Sequence, residues 1–144
     1  MDDVMVRGFE LLDRQLGLPP PATPLWNIAD VRFAHRHDWP LELTLERDSD
    51  RLEIVFCDVV SFRAQSESEI LAHWHARAEE RIDIGTLYRI DASTYLDEFA
   101  AGTAAFAQRP FVHYLVAGFD LCVEVLAIAL PKVVRKGGAA STKN

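Results

Sequence analysis

The sequence predicts an α+β domain with a mostly antiparallel β-sheet of about five to six strands and two to three packed helices. Three patterns lead to that class. Apolar residues alternate at period two from Ile28 to Phe56, they recur at helical spacing in three other segments, and they fill the run Leu121 to Leu130 on both faces. At 144 residues, 49% apolar and 26% charged, the chain has the size and composition of one folded domain.

Met5, Phe9, Leu12 and Leu16 place one apolar stripe on a helix over residues 3–16, and Gly17 ends it. Pro19, Pro20, Pro21 and Pro24 then form an extended connector. Residues 1–24 thus read as a helix and proline-rich connector set before a single α+β domain at 25–133, with a flexible basic tail at 134–144. Val31, Phe33, His35 and His37 share one face of a first strand, opposite Asp30, Arg32, Arg36 and Asp38. Leu41, Leu43 and Leu45 alternate with Glu42, Thr44 and Glu46, and Leu52, Ile54 and Phe56 resume after a short polar connection, which is a hairpin signal. Ser66 and Glu69 have capping-box spacing ahead of a helix over 67–81. Gly85 leads into a strand at 86–90, and Asp91 or Ser93 caps a helix over 93–107 with Tyr95, Phe99 and Phe106 on one stripe. Phe111–Val116 and Leu121–Leu130 close the domain as a hairpin, the second run being a central strand.

Charge is unevenly placed. The net charge is −7, but Lys132, Arg135, Lys136 and Lys143 lie in the last thirteen residues; removing their +4 leaves −11 on residues 1–131. Such a body repels nucleic-acid phosphates and anionic membranes and attracts cationic partners. No apolar run reaches the roughly 18 residues of a membrane span, and acidic Asp2 and Asp3 do not resemble the start of a secretion signal. The expectation is a cytoplasmic protein without nucleic-acid or membrane partners.

Few motifs carry chemistry. The glycines form neither a phosphate-binding loop nor a nucleophile elbow, and Cys57 and Cys122 read as reduced thiols in apolar runs. His35 and His37 on one strand face would lie about 7 Å apart, near enough to share a metal. His73 and His75, two apart on a helix, would point about 200° apart. Glu42, Glu46, Asp48, Asp50 and Glu53 cluster around the hairpin as an acidic docking surface for a basic protein. No catalytic residue and no cofactor is assigned.

The succession Leu52-x-Ile54-x-Phe56-x-x-Val59-x-x-Phe62-Arg63, Ser93-x-Tyr95-Leu96-x-x-Phe99, His113-Tyr114-Leu115 and Asp120-x-Cys122-x-Glu124-Val125-Leu126-Ala127, ending at Pro131, resembles small bacterial immunity-type proteins that accompany polymorphic and contact-dependent toxins. The resemblance spans about residues 25–133. It implies a non-enzymatic protein that binds and blocks a cognate toxin domain, and it carries no catalytic residues. Two other readings compete with it. One is a small metal-dependent enzyme using His35 and His37; the other is a structural domain that forms homo-oligomers through its first helix or an open sheet edge.

Overall fold

Nine strands and two short helices make up the described part of the computed structural model, which comprises residues 9–18, 26–35, 37–66, 86–91, 94–102, 110–118 and 121–135. The order is β1 (Phe9–Leu11), α1 (Asp13–Leu16), β2 (Asn27–Phe33), β3 (Leu41–Arg47), β4 (Asp50–Phe56), β5 (Val59–Ser66), β6 (Leu87–Ile90), α2 (Thr94–Gly102), β7 (Val112–Ala117), β8 (Leu121–Ala127) and β9 (Lys132–Arg135). The strands form two antiparallel sheets, one ordered β1-β6-β7-β8-β5 and the other β2-β3-β4-β9.

This architecture overturns the expected α+β class. The described residues are mostly antiparallel β-structure in two sheets, because three segments that lack a strong period-two signal still join ladders. Phe9–Leu11 pairs with β6, Val59–Ser66 with β8, and Lys132–Arg135 with β4. The helix expected over 3–16 is also corrected in its described part, 9–16, where a strand occupies 9–11 and the helix is confined to Asp13–Leu16. Met5 lies outside the described residues, as do the expected helix at 67–81 with His73 and His75, and residues 103–107 of the later helix. Val134 and Arg135, expected in the tail, belong to β9.

The alternating apolar residues of β3 and β4 face one core shared by both sheets, and a smaller cluster of Tyr88, Leu115, Ala117 and Cys122 lies on the other face of the five-stranded sheet. Leu41, Leu43, Leu45, Leu52, Ile54 and Phe56 from one sheet are fully buried with Leu87, Val116, Val123, Val125 and Ala127 from the other. Phe56 and Tyr114 meet across the sheets, with ring centroids 5.4 Å apart. Each such side chain contributes about 1.5–3 kcal/mol when removed from water. Close approach is needed beside β2, where a Cβ on Gly118 would stand 2.8 Å from Ile28 Cγ1.

β4–β5 and β8–β9 form one long antiparallel ribbon bent from sheet to sheet. Leu52 faces Arg135 and Val55 faces Lys132 before the corner, whereas Ser61 faces Leu126 and Gln65 faces Cys122 after it. The register is therefore restored across the corner, after an irregularity between Val59 and Ser61. Bulges of this kind let a strand leave one sheet for another. Asp58, at φ +57°, makes the turn.

The N-terminal segment is tied into this frame. Leu12 and Leu18 enter the core, and the buried Asp13 carboxylate accepts hydrogen bonds from the Thr86 and Leu87 amides at 2.8–3.1 Å. Burial raises the Asp13 pKa, and those backbone bonds only partly offset it. Among the described residues no helix is long and apolar enough to cross a membrane.

Candidate functional site

Three places concentrate polar or accessible chemistry, and pairing register decides all three. The first is the solvent side of the four-stranded sheet. Because Leu41, Leu43 and Leu45 point inward, Glu42, Thr44 and Glu46 lie on the opposite face, where Thr44 is covered by its neighbours and Glu53 stands opposite it on β4. Asp48 and Asp50 stand at the β3–β4 turn, where Asp48 adopts φ +55°. The five acidic residues singled out in the sequence are thus brought onto one hairpin. Arginines accompany them: Arg32 lies 3.9 Å from Glu42, Arg51 3.7 Å from Glu46 and Arg135 3.9 Å from Asp50. Arg47 turns inward instead and stacks over Trp26, 4.4 Å from the ring centroid.

The second place is the outer side of the five-stranded sheet. Cross-strand pairing sets Arg63 opposite Glu124, and the next row of the same face carries His113 on β7. Glu124 is almost wholly buried; its carboxylate accepts from Arg63 Nε at 2.9 Å and Nη2 at 3.3 Å, and lies 2.8 Å from His113 Nε2. Tyr95, from the first turn of α2, completes the cluster. Its ring meets His113 edge-on at 5.2 Å and lies 3.9 Å from the Arg63 guanidinium carbon, and its hydroxyl shares a 2.5 Å hydrogen bond with Ser61.

The electrostatics follow from this geometry. Burial alone would raise the Glu124 pKa, but hydrogen bonds from His113 and Arg63, together with their charges, hold it below the ordinary carboxylate value. Burial raises the Tyr95 pKa, against the pull of Ser61 and Arg63. The carboxylate is consequently a fixed anion locked between two donors. The sequence reading missed this cluster. Its signal was Glu124 itself, one charge inside a run otherwise apolar on both faces, which demands a buried partner.

The third place lies at the ribbon corner. A groove of about 400 Å³ opens there, lined by Phe33, Trp39, Asp58, Val59, Val60, Phe111 and Ile128. Trp39 has φ +44°, a conformation costing a bulky residue roughly 1–2 kcal/mol. Backbone bonds hold it there: the Ala34 amide donates to Pro40, Asp58 to Asp38 at 2.7 Å, and Val59 to Trp39. Trp39 in turn stacks with Phe33 at 5.9 Å and His35 at 4.6 Å.

The expected metal pair does not share a strand face. β2 ends at Phe33, so His35 and His37 lie in the connection to β3, where no strand period aligns them. His35 packs on Trp39, whereas His37 is almost fully exposed and 3.5 Å from Asp38. Among the described residues no three His, Cys, Asp or Glu side chains group so as to hold a metal ion. Cys57 is half-buried after β4 and Cys122 is buried in β8, both as free thiols.

Comparisons with protein-family models, curated proteins and solved structures yield no match.

Proposed function

We propose that this chain is a cytoplasmic, non-enzymatic protein-binding module that neutralises a basic toxin domain through the acidic hairpin of its four-stranded sheet. The observation that carries the reading is the placement of Glu42, Glu46, Asp48, Asp50 and Glu53 on one rigid hairpin. Its inward side is anchored by fully buried leucines, so the acidic side is presented in a fixed arrangement. The ion pairs there are long and exposed, at 3.7–3.9 Å for Arg32, Arg51 and Arg135 with their carboxylates. Exposed pairs of this kind are worth about 0–1 kcal/mol, so a partner's lysines and arginines can replace the internal arginines at small cost. The −11 charge of residues 1–131 adds long-range attraction. The resemblance to immunity-type proteins supplies the partner class.

The test pairs this protein with the product of the adjacent gene. Expected outcomes are a salt-sensitive complex and protection of cells expressing that product. The double variant Glu46→Lys with Asp50→Lys should slow association about tenfold while leaving the fold intact. Absence of both binding and protection would overturn the reading.

A further inference from the structure

We propose that the corner groove is a second recognition site, one that takes an apolar side chain flanked by lysine or arginine on a protein segment. The site goes beyond the tip of the acidic hairpin: the six residue steps of β4 from Asp50 to Phe56 separate the two by about 20 Å, while Glu42, at the other end of the hairpin, lies one residue pair from Phe33.

Shape gives the first argument. The cavity is large enough for a bulky side chain, and its walls are apolar apart from Asp58. Phe33 and Trp39 remain 39% and 44% exposed, so the groove is open along its aromatic wall. An open wall suits a side chain delivered on a backbone; an isolated small ligand is normally enclosed over most of its surface. Exposed aromatic groups held rigidly in this way are the usual anchors of protein interfaces.

Rigidity gives the second. Trp39 is not a loosely hung ring, because the amides of Asp58 and Val59 are bonded to the carbonyls of Asp38 and Trp39. These bonds cross-link the β2–β3 connection to the ribbon corner. They keep the indole at the groove when the local backbone would otherwise relax from its left-handed conformation. A preformed wall avoids an ordering cost on binding.

Charge identifies the occupant. Asp58 is exposed in the groove lining, and Asp38 is bonded to it through the backbone and is itself 59% exposed at its side chain. His37 stands beside Asp38 at 3.5 Å, and His35 faces Trp39. Two carboxylates beside an apolar slot favour cationic neighbours of the inserted group and repel acidic ones.

The probe is the blocked tripeptide Lys-Phe-Lys, titrated into the full chain while the Trp39 indole and the Asp58–Val60 amide resonances are followed by NMR. Saturable shifts with a Kd on the order of 1 mM are expected. Blocked Glu-Phe-Glu and Lys-Gly-Lys should each bind at least about tenfold more weakly. Trp39→Ala should weaken Lys-Phe-Lys about tenfold. Asp58→Asn, which keeps a residue tolerant of positive φ, should weaken it about threefold and serves if Trp39→Ala does not fold. Equal binding of Glu-Phe-Glu, or no effect of either substitution, would overturn the site. So would tighter binding of phenethylamine than of the tripeptide, since the groove would then take a free amphiphilic amine. None of these outcomes bears on the acidic hairpin, whose test uses a different partner and different residues.

Discussion

The two sheets carry similar chemistry on their outer faces, arginines opposed to glutamates across strands, yet the environments differ sharply. On the five-stranded sheet Glu124 is 1% exposed, Arg63 reaches it at 2.9 Å, and His113 and Tyr95 close around the pair. On the four-stranded sheet the Arg51–Glu46 and Arg32–Glu42 pairs are 3.7–3.9 Å long, with side chains 28–70% exposed. Water screens the second set and holds its charges nearly as well as the partner does. In the first set Glu124 and His113 have lost their water, so each depends on the other and on Arg63, whose side chain keeps 43% of its exposure. The same residue types therefore serve structure on one face and leave a replaceable, recognition-ready surface on the other.

That contrast can be broken most directly at Glu124. Glu124→Ala should lower unfolding stability by about 2–3 kcal/mol, because the buried His113 loses its acceptor and the half-exposed Arg63 its partner. Urea denaturation measures it, and a loss below about 1 kcal/mol would mean the two faces are energetically alike.

A smaller effect separates the faces by pH. The folded-state pKa of Glu124 lies below its unfolded value, so its contribution is present above the unfolded carboxylate pKa of about 4.3 and is lost as pH falls through the folded value. Stability should thus fall in acid, and Glu124→Gln should flatten that fall.

The smallest expected effect is on the exposed face. Glu46→Ala removes a pair with Arg51 at 3.7 Å and should change stability by less than about 1 kcal/mol. Its consequence should appear in partner association instead, as a reduced on-rate at low salt. A stability loss comparable to that of Glu124→Ala would make the hairpin a structural element first.

Legibility in the sequence followed burial. β3 and β4 were readable because their apolar residues alternate with the strand period, β7 and β8 because they are near-continuous apolar runs, and β8 is indeed an interior strand between β7 and β5. β5 was not, since Arg63, Ala64 and Gln65 are exposed and give no alternation of strong contrast. The N-terminal segment misled because Phe9, Leu12 and Leu16 fit a helical stripe, whereas pairing with Tyr88–Ile90 draws Phe9–Leu11 into the sheet edge. The acidic hairpin was legible because its residues are neighbours in the chain. The buried cluster was not, because Arg63 and Glu124 are 61 positions apart and only the β5–β8 register makes them adjacent.

By itself, then, the sequence determined which side of each regular strand is apolar, where the acidic hairpin lies and how charge divides between body and tail. Alternation and local charge are properties of neighbouring residues, so they survive without a fold. Tertiary structure alone decided that there are two sheets, that one ribbon bends between them, and that the corner opens an aromatic groove. It also decided that His35 and His37 leave the strand, while His113 and Arg63 converge on Glu124. Those outcomes depend on long-range pairing, where a weak local preference yields to ladder hydrogen bonds and to the burial of a shared core.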